Sequence, residues 1–387
     1  MHAMPGPIDR PPPGWRSRWS HWRDRLLTRP DFRRWASGFA PTRPVARRHA
    51  RALFDLVAGF VYSQVLLACV RLRLFDVLAE GAQELGSLAR RIGLPEAGAA
   101  RLLDAAAALG LAERRGPSCY GLGPLGAAMV GNEAIAAMVE HHAALYDDLR
   151  DPVALLRGEL REPALAGYWP YAGADAPRAL EADRVAAYSA LMSASQPLVA
   201  DEILDAYPFE RHRCLLDVGG GEGRFLVAAA RRAPALRLQL FDLPAVAERA
   251  HARFAAEGLA PRAEAHGGDF FTDPLPSGAD VATLVRVVHD HDDAAVLRLL
   301  QGVRRALAPG GRLVLAEPMA GTPGAEAMGD AYFGFYLLAM GRGRPRSASE
   351  LAALLEAAGF GAVQSLRTRL PLQTGALLAA VPGDKRR

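Results

Sequence analysis

A base and its orienting partner are spaced for proton transfer in the last third of the chain. In Leu284-Val-Arg-Val-Val-His-Asp-His-Asp-Asp293, His289 closes an apolar strand pattern, at the strand end where α/β enzymes carry reactive groups. An imidazole titrates near pH 6.5, so it serves as a general base close to neutrality. Leu313-Val-Leu-Ala-Glu-Pro318 is a second apolar strand pattern, and it ends in Glu317. A carboxylate there can bond the far nitrogen of the imidazole, fix its tautomer and raise its basicity. The alternating His and Asp also resemble a metallohydrolase ligand run, but its closing position is Ala294, so no metal is expected. A helix cap or a core histidine is the structural alternative for His289.

Upstream, Leu215-Leu-Asp-Val-Gly-Gly-Gly-Glu-Gly223 reads as a strand, a glycine turn and the start of a helix. Gly219, Gly220 and Gly221 allow a sharp turn and close backbone approach to a ligand. A dinucleotide fingerprint would need its third glycine at Arg224 or Leu226, and neither fits. Asp242 ends the next strand, where a carboxylate can hold both hydroxyls of a ribose. In Gly268-Asp-Phe-Phe271, Asp269 can accept an adenine amino group while Phe270 packs on the ring. Together these features fit a nucleoside ligand without a pyrophosphate, such as S-adenosylmethionine. A tight turn beside a surface aspartate is the structural alternative.

The elements that must position these residues divide the chain in three. Residues 1–44 form a basic segment, 45–200 a helical Ala/Leu-rich region, and 201–387 an alternation of strands and helices. In the last part, Cys214–Val218, Arg237–Phe241, Val281–Val288 and Arg312–Ala316 read as strands, with helices such as Phe225–Arg232 and Ala294–Leu307 between them. That pattern predicts a doubly wound α/β domain with a parallel sheet covered on both faces. In the middle part, Leu85–Leu94 and Ala97–Leu109 followed by a short β-wing resemble a winged helix. Arg101 is the only basic residue of the second helix, so dimerisation is expected there and not DNA binding.

Composition narrows the class further. With 387 residues, half of them hydrophobic and 23% charged, the chain can bury a large core. Cys69, Cys119 and Cys214 show no CxxC spacing, which excludes a cysteine zinc site and suits a reducing cytoplasm. The apolar run from Leu56 to Val70 is shorter than the about 20 residues of a membrane span, so it reads as a buried helix. Residues 1–51 carry twelve Arg against three Asp, a net +9 within a total of +4, so the rest of the chain is acidic. Residues 1–14 hold five prolines and read as a loose leader. Trp15, Trp19 and Trp22 recur at helical spacing among arginines, an amphipathic helix that packs on its own fold, on a partner subunit or on a membrane surface.

The ordered motifs DVGGGEG, FDLP, GGDFF, RVVHDHDD and APGGRLVLAEP resemble the class I S-adenosylmethionine-dependent O-methyltransferases of the caffeate-type and bacterial small-molecule group. Within it, Ala50–Val70 and Gly329–Ser347 look like the members that methylate the 1-hydroxyl of acyclic carotenoids in phototrophic bacteria. The resemblance implies a Rossmann-like catalytic domain, a helical dimerisation domain and a homodimer acting on a small apolar hydroxylated substrate. It places Gly219, Gly220 and Gly221 at the methionine end of the cofactor, Asp242 and Leu243 at the ribose, and Asp269 and Phe270 at the adenine. It makes His289 the base, flanked by Glu317. Two positions depart from the pattern. Pro345 stands where plant members have a second flanking carboxylate, which leaves Asp290 to help orient His289. Arg286 is the nearest basic residue to a cofactor-contacting lysine. Tyr188, Met192, Phe333, Tyr336 and Met340 are candidates for an apolar acceptor pocket, and each could equally be core or dimer interface. Other acceptors (a phenol, a polyketide or a tetrapyrrole carbon) keep the same cofactor site, and a non-catalytic binder would not need the His289–Glu317 pair.

Overall fold

The structure is a computed structural model that describes residues 15–160, 163–168, 196, 199–371 and 374–383. The proline-rich segment 1–14 and the pocket candidates Tyr188 and Met192 lie outside the described residues. The chain forms two compact units, residues 1–127 and 128–387.

The first unit begins with helices Trp15–Leu27, Pro30–Gly38 and Arg43–Arg71. A winged-helix unit follows. Helix Leu85–Ile92 is stopped by Gly93 in the left-handed region, and helix Glu96–Ala108 runs into the wing. Strands β1 (Gln83–Glu84), β2 (Ala112–Arg114) and β3 (Cys119–Leu122) make a small antiparallel sheet in the order β1-β3-β2. Buried Tyr120 donates to Asp104 at 2.6 Å, which ties the wing to the second helix.

The run Leu56–Val70 is helical, but the buried helix expected from the sequence is not found. Only Leu67 and Cys69 of helix Arg43–Arg71 are buried, while Leu53, Phe54, Leu56, Val57 and Phe60 are strongly exposed. Periodicity can show that a helix is apolar. It cannot show whether the cover comes from the same chain or from another.

The second unit opens with helices Glu133–Asp148, Pro152–Leu156 and Ala164–Tyr168. Asp148 is buried and accepts the free N–H groups of Ala164 and Leu165 at 2.6 and 2.9 Å, capping the third helix from the first. The centre is a seven-stranded sheet, β4 (Cys214–Val218), β5 (Arg237–Asp242), β6 (Ala263–Gly267), β7 (Ala279–Val285), β8 (Leu307–Glu317), β9 (Gly361–Leu366) and β10 (Gly375–Ala380). Its order is β6-β5-β4-β7-β8-β10-β9, with β4 to β8 parallel and β10 antiparallel to both its neighbours. Every residue of β4 is buried, as expected of a strand covered on both faces. The chain winds outward through β5 and β6, then returns to place β7 on the other side of β4. The crevice at that reversal is where such sheets bind ligands.

Candidate active site

Five loops leave the carboxyl ends of the parallel strands, and each carries one of the motifs. After β4 the backbone turns at Gly219, with φ of +70°, so close to the β7 exit that a Cβ there would come within 2.7 Å of Val287. Gly221 also has a positive φ, but it faces open space, leaving room for a ligand beside the backbone. Its N–H donates to Asp242 Oδ2 at 2.8 Å, and Leu243 N–H donates to Oδ1 at 2.7 Å. The carboxylate at the end of β5 thus braces the glycine turn and keeps further lone pairs for a ligand. Burial pushes the Asp242 carboxyl up to about 6, against the pull of these two N–H groups. Below the turn, buried Asp217 accepts from Thr283 at 2.6 Å and packs under Gly220.

The loop after β6 joins the same end, since Gly268 N–H donates to the Asp242 carbonyl at 2.9 Å. Asp269 holds its own turn by accepting from Phe271 N–H at 2.9 Å, and half-buried Phe270 lies edge-on to Phe271 and His291. Arg286, at the exit of β7, adopts φ of +55°, an uncommon conformation for a side-chain-bearing residue. Its N–H donates to Ala316 on β8, and its guanidinium reaches Gln196 at 3.3 Å.

This turn delivers His289 to Glu317. Glu317, almost fully buried, accepts Val287 N–H at 2.9 Å and Val288 N–H at 2.6 Å on one oxygen, and His289 Nδ1–H on the other. One carboxylate therefore fixes the turn, the ring plane and the tautomer, leaving Nε2 for chemistry. Asp290 Oδ1 lies 3.0 Å from Nε2 at ion-pair distance, off the line of a hydrogen bond. Burial acts against a charge on this imidazole. Asp290 and Glu317 outweigh it and lift His289 from 6.5 to about 10.

A buried arginine completes the turn. Arg346 donates to the Val288 carbonyl at 2.9 Å and the His291 carbonyl at 2.6 Å, and pairs with Asp293. It bridges both ends of the short helical turn Val288–Asp290, and Arg344 N–H adds a bond to the His289 carbonyl at 2.9 Å. Pro345 sits between these two arginines and offers no carboxylate, so Asp290 is the second acid beside the imidazole. Among the described residues there is no cluster of side chains that could hold a metal ion.

The remaining pocket candidates separate. Phe333 is half-buried with its ring 6.0 Å from the His289 ring. Tyr336 and Met340 are buried with Leu145, Leu155 and Leu165 in the cluster that joins helix Phe333–Met340 to the helices before the sheet. Sequence patterning missed Arg346 and the partners of Tyr336, because neither a buried cation nor a distant hydrogen bond has a period.

Residues 146–361 match the O-methyltransferase domain model and residues 54–132 the O-methyltransferase dimerisation domain model. The chain belongs to the O-methyltransferase family. It is 46% identical to demethylspheroidene O-methyltransferase of Cereibacter sphaeroides, over 88% of this chain and 90% of that protein. It is 35% identical to acetylserotonin O-methyltransferase of Mus musculus, over 87% and 89%. Among solved structures it is similar to the S-adenosylmethionine-dependent methyltransferase SibL, with a TM-score of 0.70 and 25% identity, covering 86% of this chain and 99% of that one. The methyltransferase thus carries the family's dimerisation domain and works as a homodimer on a small molecule. The exposed apolar face of helix Arg43–Arg71 runs into this domain.

Proposed function

We propose that this enzyme transfers the methyl group of S-adenosylmethionine to the 1-hydroxyl of an acyclic carotenoid of the demethylspheroidene or hydroxyneurosporene type. The observation that carries the chemistry is His289, held by Glu317 at the carboxyl edge of the sheet beside the glycine turn. The acceptor follows from the 46% identity to demethylspheroidene O-methyltransferase over most of both chains.

The donor is S-adenosylmethionine. The residues fit it: a backbone cradle at Gly219–Gly221 with space above Gly221, a carboxylate at Asp242, and Asp269 with Phe270 on the next loop. Bound there, it supplies a methyl group on a cationic sulfur, already activated for displacement by a hydroxyl oxygen. Asp242 and Leu243 would hold its ribose and Asp269 and Phe270 its adenine, with Arg286 at the exit of β7 as a further candidate contact. As the O–C bond forms and the S–C bond breaks, the hydroxyl proton passes to Nε2 of His289. Glu317 stabilises the resulting imidazolium through Nδ1. A tertiary alcohol is far less acidic than a phenol, so its proton leaves as the new bond forms. Because Asp290 and Glu317 favour the charged ring, the resting imidazole must first lose a proton. The deciding experiment incubates purified dimer with S-adenosylmethionine and either a 1-hydroxylated acyclic carotenoid or a phenol, with products read by mass. Methylation of the phenol alone removes the carotenoid reading.

We further propose that the enzyme is cytoplasmic and rests on the inner membrane surface through residues 15–35. This segment precedes the matched dimerisation domain, and Trp15, Trp19, Trp22 and Trp35 are each more than half exposed among arginines. Tryptophan favours the headgroup region, and each arginine near an anionic leaflet contributes about 1 kcal/mol. A carotenoid dissolved in lipid would then be within reach. Deleting residues 1–36 should abolish co-sedimentation with anionic vesicles and leave the dimer intact by sizing chromatography. Unchanged vesicle binding, or none by the full-length protein, overturns this reading.

A further inference from the structure

The glycine turn contains a single side chain. Of residues Gly219–Gly223 only Glu222 carries one, and neither the proton transfer nor the cofactor contacts described above use it. Glycine lets a turn take unusual shapes but does not choose one, so a run rich in glycine needs a hold from outside. Helix Pro244–Ala256 supplies it. Side chains on a helix lean toward its N-terminus, and this one starts just after Asp242 and Leu243 at the cofactor end of the sheet. Arg249 and Arg253, one turn apart, therefore reach up toward the glycine turn.

Arg253 grips Glu222 twice. Its Nη2 donates to the carboxylate at 2.6 Å and its Nε donates to the main-chain carbonyl at 3.0 Å. Arg249 Nη1 lies 3.8 Å from the other carboxylate oxygen. The next residue, buried Phe254, sits against Gly223, where φ is +78° and a Cβ would come within 2.6 Å of the ring. At the other end of the helix, Pro244 packs against Gly267 of β6, where a Cβ would come within 2.9 Å of its Cα. One helix thus touches the exits of β4, β5 and β6.

We propose that Glu222 and Arg253 form a latch that holds the glycine turn in its cofactor-binding shape, which makes both of them positioning residues for S-adenosylmethionine. The proposal rests on the assignment of that turn to the cofactor. Exposed ion pairs contribute little, because water screens them and both side chains must be immobilised. Here the Glu222 and Arg253 side chains are only 13% and 26% exposed, and one guanidinium binds main chain and carboxylate together. Charge-assisted bonds of this kind are about twice as strong as neutral ones. By holding the carbonyl as well, Arg253 fixes the backbone of the one residue between two left-handed glycines, Gly221 and Gly223. Gly221 is also the residue whose N–H bonds Asp242, so the latch acts one peptide away from that carboxylate. A turn already in its bound shape loses less freedom when the ligand arrives. The latch therefore acts on cofactor affinity and leaves the transfer step to His289.

The test is calorimetric affinity for S-adenosylmethionine in Arg253→Met, which keeps an apolar stem and removes both bonds. The dissociation constant should rise about tenfold, equal to about 1.4 kcal/mol. At saturating cofactor, kcat and the KM for the acceptor should stay within about twofold of wild type. Arg253→Lys keeps the charge but cannot bind carbonyl and carboxylate together, so its affinity should fall between the two. Glu222→Gln gives the same reading from the other side should the methionine variant not fold. In the double variant the two losses should not multiply, because they break one contact. Wild-type affinity in Arg253→Met or Glu222→Gln overturns the latch, and so do losses that multiply. An acceptor KM that rises in step with the cofactor constant shows general loosening and overturns it too. Asp242→Ala separates the underlying assignment. Weakened binding there beside wild-type binding in Arg253→Met refutes the latch alone, and unchanged binding in both removes the cofactor from this turn.

Discussion

Replacing Asp290 by asparagine should move the pH profile of the enzyme toward acid, and the structure gives the size of the move. His289 is lifted from 6.5 to about 10 with Asp290 and Glu317 on either side of the ring. Opposite charges about 4 Å apart interact by about 4 kcal/mol at an effective dielectric of 20, equal to about three pH units for one carboxylate. Burial works against the charge and takes back part of that, so Asp290→Asn should lower the pKa by about two units. The sign for activity follows from the role. A base must be neutral to accept a proton, so kcat/KM of the wild type rises with pH well beyond 6.5 before levelling. In Asp290→Asn the rising limb should lie about two units lower, with more activity than wild type at its acid end. Stability has the opposite sign. The imidazolium is favoured in the folded state, so its contribution is full below pH 6.5 and is lost as pH rises through about 10. The asparagine variant should therefore lose stability mainly on the acid side of that window, measured by denaturant midpoints at pH 6 and at a pH above 10. Superimposable kcat/KM limbs for the two proteins, or a wild-type limb already centred near 6.5, would refute the reasoning.

Four further substitutions probe the rest of the site. Asp242→Ala should keep the fold by circular dichroism and lose calorimetric affinity for S-adenosylmethionine, since hydrogen bonds to a charged group are worth about 1.5–3 kcal/mol each. Unchanged affinity removes Asp242 from the cofactor site. His289→Ala should lower kcat by about 100-fold or more with cofactor affinity near wild type, and Glu317→Gln should act in the same direction more mildly. Normal turnover in both variants places the base elsewhere. Arg346→Lys should lower kcat without raising KM, because an ammonium cannot bridge the Val288 and His291 carbonyls as the guanidinium does. Wild-type kcat in that variant shows that the turn holds itself.

What the sequence revealed and what it concealed divide along a physical line. The strand–glycine–helix unit at Leu215–Gly223, the carboxylate ending β5 and the His289–Glu317 pairing were legible because backbone geometry dictates residue types locally. Gly219 must turn left-handed beside Val287, and a carboxylate at the end of β8 lies next to whatever ends β7. The two antiparallel strands β9 and β10 were not anticipated: edge strand β9 lacks a continuous apolar run, and the short apolar run of the interior strand β10 does not by its pattern distinguish a buried strand from a buried helix segment. The apolar run within helix Arg43–Arg71 was recognised and expected to be buried, yet most of its apolar face is exposed on this chain, since hydropathy measures the wish for burial and not its source.

At the scale of one site, Asp290 was legible as the acid beside His289, but the placement of its side chain was not. Pro345 in place of the second flanking carboxylate left Asp290 as the acid expected there, and no spacing rule gives the position of its side chain. Only the fold of the Val288–Asp290 turn, clamped by Arg346 and Glu317, swings that carboxylate to Nε2. The sequence names the carboxylates and the imidazole, and the fold of the backbone decides that they meet.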